Sequence, residues 1–248
     1  MKKNTIFILL FIFVVIYVLV SIFGFISSNK KYLILDRNNI FVINNNKYKK
    51  VSDNSINRLK YSKTSINKDG NLIKGYISFD ENEAFFIDWM SRTYNSSKIF
   101  LTLNTDPIKD VSDKLIKDEV SNEEYDLLAK YLKDNDIEID IESISYNYNC
   151  MKADYGEFIV YVISPNEDSE ETSSFALIYK ENKFKKIYSV DKANLYLDRI
   201  GDINYDGYLD LVLAYDNDES DFIEGYNIYL YDNAKENFIP AYEYGGEK

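Results

Sequence analysis

The chain has 248 residues, and its 41 acidic and 29 basic residues give a net charge of −12. So acidic a surface repels phosphate groups, which excludes nucleic acid as an expected partner and argues against docking on anionic lipid. Histidine is absent, which excludes Ser-His-Asp and Cys-His catalysis and most zinc sites within this chain.

The N-terminal region contains an uncharged apolar run of 21 residues, Ile6–Ile26, after a five-residue head. A helix of that length is about 31 Å long, which matches the hydrocarbon core of a bilayer. We expect an uncleaved transmembrane anchor, residues 6–26, behind a cytoplasmic head, residues 1–5. A signal peptide cleaved after Ser28 and a helix in a soluble core are the alternatives.

The orientation of this anchor is not decided by the positive-inside rule, because lysines lie on both sides of the apolar run. A head of five residues normally stays inside, so we expect the remaining chain on the extracytoplasmic side of the cell membrane. Without Lys2 and Lys3, 27 basic residues remain against 41 acidic ones, a net charge of −14.

Short β-type segments follow the anchor, and asparagine-rich turns between them predict consecutive hairpins. The polar stretch 52–71 is expected to be a loop, and the apolar segment 85–90 is a buried strand or a short helix. The other strands predicted in this half are 32–36, 40–43, 47–51, 72–79 and 99–103.

Two helices are predicted in the middle of the chain. Asp106-Pro107 offers an N-cap with proline at the first helical position, which predicts a helix over 107–118. Ser121 and Glu124 form a capping-box pattern, which predicts a second helix over 122–133.

The apolar periodicity changes to two from Ile137 onward, which predicts strands up to Ile144 and beyond. Two hairpin-like segments, 175–190 and 226–242, share the order of an apolar strand, an acidic-asparagine turn and a phenylalanine-containing strand, which suggests a repeated hairpin. Later strands are predicted at 158–163, 175–179, 184–190, 211–215, 226–231 and 238–242.

These elements predict a mainly β protein with a short helical pair, an α+β fold. Its antiparallel sheets are expected to be blade-like or sandwich-like, behind the N-terminal transmembrane helix. We expect one domain over 27–136, with the first hairpins and the helical pair, and a β-rich domain over 137–248.

Cys150 is the single cysteine, so an internal disulfide is excluded. We expect it to be a small buried apolar residue, with an intermolecular bridge or a reactive thiol as the alternative.

Residues 202–210 have the pattern of a cation-binding loop, with oxygen-bearing side chains at loop positions 1, 3, 5 and 9 and glycine at position 6. Alternate residues direct their oxygens toward a hard cation, and the glycine permits a sharp turn. We therefore expect one structural calcium ion, with an acidic turn without an ion as the alternative. The expected ligands are the side chains of Asp202, Asn204, Asp206 and Asp210 and the carbonyl oxygen of Tyr208.

The loop is not an EF-hand, because Leu213 stands at position 12, where a bidentate glutamate is required, and segment 209–215 is β-like. Its pattern, Gly-Asp-x-Asn-x-Asp-Gly-x-x-Asp-Leu, resembles the FG-GAP and VCBS repeats over about residues 196–242. The matching residues are Gly201, Asp202, Asn204, Asp206, Gly207, Asp210 and Leu211. The resemblance implies a calcium loop that joins strands of an integrin-type β-propeller blade.

The acidic clusters 167–171 and 216–221 are expected to be solvated loops, and the second could add a ligand to the cation.

The expected function is that of a non-enzymatic, membrane-anchored module for binding or adhesion at the cell envelope, with a protein or glycan ligand. The rival is an extracytoplasmic hydrolase of the glycosidase kind, whose two carboxylates lie about 5–9.5 Å apart. Two carboxyl groups with raised pKa in a cleft away from the loop would favour the enzyme.

Overall fold

The computed structural model describes residues 30–51, 56, 58–80, 83–117, 119–135, 144–166, 173–216 and 225–244. The predicted anchor Ile6–Ile26 lies outside these residues, so it stays a prediction. Within the described residues, no helix has the length and apolar composition that a membrane crossing needs.

The predicted mainly β fold is confirmed, since the described residues form four antiparallel sheets with few helices. Two compact units divide the chain. The first consists of residues up to 45, 49–66 and 72–107, and the second of 46–48, 67–71 and 108–248. The second unit therefore begins earlier than the domain range suggested by the sequence and contains the predicted helical pair.

Two sheets, with strand orders β3-β2-β1-β8 and β4-β5-β6-β7, occupy the N-terminal half. Their buried side chains, among them Ile34, Leu101, Ile77 and Phe86, form one apolar cluster. The strands are β1 (Lys31–Ile34), β2 (Ile40–Asn44), β3 (Lys47–Lys50), β4 (Lys63–Lys68), β5 (Asn71–Phe79), β6 (Ala84–Asp88), β7 (Thr93–Asn95) and β8 (Leu101–Leu103).

The predicted hairpin turn at the asparagine run is confirmed, because Asn45 and Asn46 have φ angles of 49° and 60°. The prediction of a continuous loop over 52–71 is wrong, since β4 lies within it. β4 is polar except for the fully buried Ile66, so its sequence carries little alternating signal. The ambiguous segment 85–90 forms strand β6 and the turn after it.

The second unit contains a five-stranded sheet, β13-β12-β11-β10-β9, and a four-stranded sheet, β14-β15-β16-β17. Alternate residues of the five-stranded sheet point to opposite faces. Val160 and Val162 join a core with the four-stranded sheet, whereas Tyr161 and Ile163 pack with a helix on the other face. The strands are β9 (Ile116–Lys117), β10 (Tyr148–Asp154), β11 (Ile159–Pro165), β12 (Ser173–Lys180), β13 (Lys183–Asp191), β14 (Asn194–Gly201), β15 (Asp210–Asp216), β16 (Gly225–Asp232) and β17 (Asn237–Tyr242).

The helix predicted over 107–118 is wrong in extent, because only one turn, α1 (Ser112–Leu115), is helical. Tertiary contacts override the local pattern. The backbone of Asp110 forms a bridge with Gly201, and the Val111 N–H donates to the carbonyl of Ile200 at 3.0 Å. These contacts hold the segment in an extended conformation.

The second predicted helix is confirmed as α2 (Asn122–Asp134). The Ser121 hydroxyl accepts from the Glu124 N–H at 3.3 Å, and the Glu124 carboxylate accepts from the Ser121 N–H at 2.8 Å. This is the predicted capping box. Its buried residues Leu128, Ala129 and Leu132 pack on the five-stranded sheet.

The predicted strand is wrong at its last residue, Ile144. This residue begins a helical turn, α3 (Ile144–Asn147), which leads into β10. The rest of that expectation, residues 137–143, lies outside the described residues. So do the acidic cluster 167–171 and, apart from Asp216 at the end of β15, the cluster 216–221.

Candidate calcium loop

The predicted cation loop joins two antiparallel strands, because β14 ends at Gly201 and β15 begins at Asp210, its partner in the ladder. Ile203, within the loop, is fully buried. Two loop residues have left-handed backbone angles, Tyr205 with φ 63° and Gly207 with φ 92°. Gly207, the glycine at loop position 6, therefore permits the sharp turn that the sequence pattern predicts.

The carboxylate of Asp202 accepts hydrogen bonds from two backbone N–H groups of the loop. One oxygen, Oδ1, accepts from the Asp206 N–H at 3.0 Å, and Oδ2 accepts from the Gly207 N–H at 3.0 Å. Asn204 adds two contacts to Asp206: its Oδ1 accepts from the Asp206 N–H at 3.2 Å, and its Nδ2 donates to Oδ2 of Asp206 at 2.8 Å. The structure thus brings positions 1, 3 and 5 together.

Asp206 is exposed, and its Oδ1 accepts from the Tyr208 N–H at 2.9 Å. Each carboxylate oxygen has two lone pairs, so an oxygen that accepts one N–H keeps one for a cation. The hydrogen bonds of Asp202 and Asp206 therefore order their carboxylates without using up their capacity as ligands.

Asp210 differs from the other aspartates of the loop because it is fully buried. Its Oδ2 accepts from the N–H groups of Ile203 at 2.8 Å and Asn204 at 3.3 Å, and its Oδ1 accepts from the Tyr231 N–H at 2.9 Å. Burial raises the pKa of Asp210 to about 7, although these N–H groups oppose the shift. A cation near this carboxylate would favour its charged form.

Tyr208 links the loop to the core through its ring, which lies 5.9 Å from the ring of Tyr231. Tyr231 in turn stacks on Phe158, with 4.9 Å between the ring centroids. The Tyr155 hydroxyl is buried without a hydrogen-bond partner among the described residues. Burial and, less strongly, the charge of Asp210 raise the pKa of Tyr155 well above its ordinary value.

No group of three or more acidic or cysteine side chains with metal-ligand geometry occurs in the part of the chain that the structure describes. Of the three carboxylates of the loop, Asp206 is exposed, Asp202 is partly buried and Asp210 is buried. Calcium at this loop stays a prediction.

A second charged cluster, which sequence reasoning missed, lies beside the loop strand β14. The guanidinium of the buried Arg199 pairs with Asp198 at 2.6 Å and lies over the ring of Tyr226, 5.6 Å from its centroid. Asp110 accepts from the Ser112 hydroxyl at 2.5 Å, and that hydroxyl accepts from the Ile200 N–H at 2.8 Å. The cluster fastens the turn α1 to β14, which is a structural role.

Raised pKa values occur at two carboxyl groups among the described residues, Asp110 and Asp210, and burial is the largest cause in both. Asp110 is engaged by Ser112, and Asp210 by two backbone N–H groups of the loop and by the N–H of Tyr231 in β16. The criterion for a glycosidase, a pair of such groups away from the loop, is therefore not met in this part of the chain.

Comparisons with models of protein families, with curated proteins and with solved structures find no match to this chain.

Proposed function

We propose that the protein is a membrane-anchored extracytoplasmic binding module, for adhesion or interaction at the cell envelope, whose β-rich second unit is stabilised by one calcium ion. The observation that carries the proposal is the segment 202–210 that links β14 to β15, with oxygen-bearing side chains at positions 1, 3, 5 and 9 and left-handed backbone angles at Tyr205 and Gly207. The ligands are Asp202, Asn204, Asp206, Asp210 and the carbonyl of Tyr208.

The strands around the loop support an FG-GAP or VCBS type of site. In that type, the loop joins strands of an antiparallel blade. Here the loop joins the first two strands of a four-stranded meander, β14-β15-β16-β17. Calcium accepts six to eight oxygen ligands in flexible geometry, which suits a loop whose Asp206 carboxylate is exposed and whose Asp202 carboxylate is partly exposed.

A binding role is preferred over catalysis because the two carboxyl groups of the second unit whose pKa is raised by burial both form structural hydrogen bonds. Asp210 holds the loop, and Asp110 holds Ser112. The absence of histidine from the chain removes the commonest general base.

The membrane location rests on the apolar run Ile6–Ile26. It is tested with protease added to intact protoplasts. Degradation of residues 28–248 in sealed cells is expected, whereas protection until lysis would place this part of the chain inside.

The calcium site is tested by thermal melting of the full-length chain in detergent, with calcium and with a chelator. Extracellular sites have a Kd of about 10⁻⁴–10⁻³ M. At about ten times Kd, binding adds roughly 1.4 kcal/mol and raises Tm by about 3–6 °C. Magnesium is expected to substitute poorly, because it holds its waters and needs a tighter octahedral site.

Asp206→Ala is expected to abolish the calcium-dependent rise in Tm. Asp36→Ala is the matched control, since Asp36, like Asp206, accepts from backbone N–H groups in a turn, here from Asn38 at 2.6 Å and Asn39 at 2.7 Å. The control variant is expected to lose stability equally with and without calcium. An unchanged calcium response in Asp206→Ala would overturn the assignment.

A further inference from the structure

Three aromatic side chains follow one another in the first unit, and we call Tyr61, Tyr76 and Trp89 the aromatic row. The ring centroids of Tyr61 and Tyr76 are 6.0 Å apart, and those of Tyr76 and Trp89 are 6.1 Å apart. Tyr61 is 66% exposed and Trp89 61% exposed. Large aromatic side chains usually bury most of their surface, so the exposure of both Tyr61 and Trp89 beside Tyr76 is unusual.

The aromatic row lies on the outer face of the sheet β4-β5-β6-β7. Ile77 and Phe86 are fully buried in the core of the unit, so their neighbours along the strands point the other way. Tyr76 and its cross-strand partner Ile87 therefore share the outer face, and both are only partly buried. Alternation also places Lys63 and Lys74 on this face.

The turn that carries Trp89 is fixed by hydrogen bonds to the buried carboxylate of Asp88. The Asp88 carboxylate, which is 3% exposed, accepts from the N–H groups of Met90 at 2.8 Å and Arg92 at 2.9 Å, and from Nε of Arg92 at 2.6 Å. The hydrogen bonds fix the backbone on both sides of the turn. The backbone that carries the exposed Trp89 is thus already ordered, so this turn loses little conformational freedom when a ligand binds.

The charges around the aromatic row are opposite in sign to the charge of the whole chain. Nζ of Lys60 lies 5.3 Å from the centroid of the Tyr61 ring, and Lys63 in β4 and Lys74 in β5 share the outer face with Tyr61 and Tyr76. Asp88 is paired with Arg92, and the other described acidic residues of this sheet, Asp69, Asp80 and Glu83, stand in its hairpin turns. The surface around the rings is therefore locally cationic within a protein of net charge −12.

We propose that the aromatic row binds an extended polysaccharide that carries carboxylate or phosphate groups. The C–H faces of sugar rings stack on tyrosine and tryptophan, while tyrosine hydroxyls and lysine ammonium groups donate hydrogen bonds to sugar oxygens. Three successive rings can contact neighbouring sugars of an extended polymer, and the surrounding cations select a negative one. This proposal rests on the proposed binding function and names its ligand class.

The test is affinity electrophoresis of the full-length chain in detergent, through gels that contain carboxymethylcellulose or hydroxyethylcellulose. Both polymers share one backbone, and only the first is charged. Retardation by carboxymethylcellulose, weakened by added salt and stronger than that by hydroxyethylcellulose, is expected. Trp89→Ala should weaken it roughly three- to tenfold, the value of one aromatic contact.

The controls separate this surface from other exposed residues. Tyr146→Ala removes a ring that is 82% exposed in the second unit and should leave retardation unchanged, as should Lys130→Glu on α2, whereas Lys74→Glu should weaken it. Equal retardation by both polymers, or none by either, would overturn the proposal. Binding to anionic vesicles that Trp89→Ala abolishes, without polysaccharide binding, would assign the row to a membrane surface instead.

Failure of this proposal can be told apart from failure of the calcium site. The calcium-dependent rise in Tm is measured on the same Trp89→Ala preparation, where it should persist because Asp206 is intact. A rise in Tm without polysaccharide binding would reject the ligand class and leave the calcium-stabilised module standing.

Discussion

The buried carboxylate of Asp210 accepts a hydrogen bond at 2.9 Å from the backbone N–H of Tyr231, 21 residues later in the chain. The same carboxylate holds the N–H of Ile203 inside the loop. Asp210 therefore fastens the loop to strand β16, the next strand after the β14-β15 hairpin. The loop and the four-stranded sheet should rise or fall in stability together.

Asp210→Asn is expected to destabilise the protein by about 1–3 kcal/mol, because an amide group would turn a donor toward buried backbone N–H groups. The loss should appear in chelator as well as in calcium. The measurement is urea unfolding at neutral pH.

Asp206→Asn is the matched variant for that comparison, since Asp206 is exposed in the same loop. It should change the unfolding midpoint little in chelator. Equal midpoints for Asp210→Asn and Asp206→Asn would mean that Asp210 does not fasten the loop.

Glu124 should make folding sensitive to acid. Burial alone would raise its pKa, but hydrogen bonds from Lys152, the Ser121 N–H and the Tyr161 hydroxyl lower the pKa to about 2 from 4.5. A carboxyl group whose pKa is lowered by folding stabilises the protein above its unfolded pKa and loses this effect as the pH falls. We expect about 1–3 kcal/mol to be lost between pH 4.5 and pH 2.

Glu124→Gln should be less stable at pH 7 and should show a weaker decline in this acidic range, as measured by chemical unfolding at each pH. Glu123→Gln, at the neighbouring exposed position, is the control and should follow the unmodified chain. Parallel stability curves for Glu124→Gln and the unmodified chain would contradict the assignment.

The features that sequence predicted well depend on residues close together in the chain. The capping box needs only Ser121 and Glu124, and the left-handed turn of the loop needs only Gly207. The helix expected over 107–118 failed because the backbone of Asp110 pairs with Gly201, far away in sequence. The aromatic row could not be predicted from the sequence for the same reason, because pairing of β4, β5 and β6 brings Tyr61, Tyr76 and Trp89 together.

Cys150 should not react in the folded protein. Its side chain is 5% exposed, which confirms the expected burial, and burial raises the pKa of its thiol to about 12. Because the thiolate is the reactive form, a disulfide reagent at pH 8 should label the chain only after denaturation.

Ser97→Cys supplies the control for this experiment, because Ser97 is exposed. That variant should take up one equivalent of reagent rapidly while folded. Fast labelling of Cys150 in the unmodified chain would restore the reactive-thiol alternative.

Isothermal titration of the full-length chain with calcium tests the central claim most directly. Three carboxylates and one amide oxygen in nine residues should bind one ion per chain, with a Kd of about 10⁻⁴–10⁻³ M, and Asp206→Ala should remove the heat of binding. No calcium uptake at millimolar ion would contradict the account and leave Asp202–Asp210 as an ordinary acidic turn.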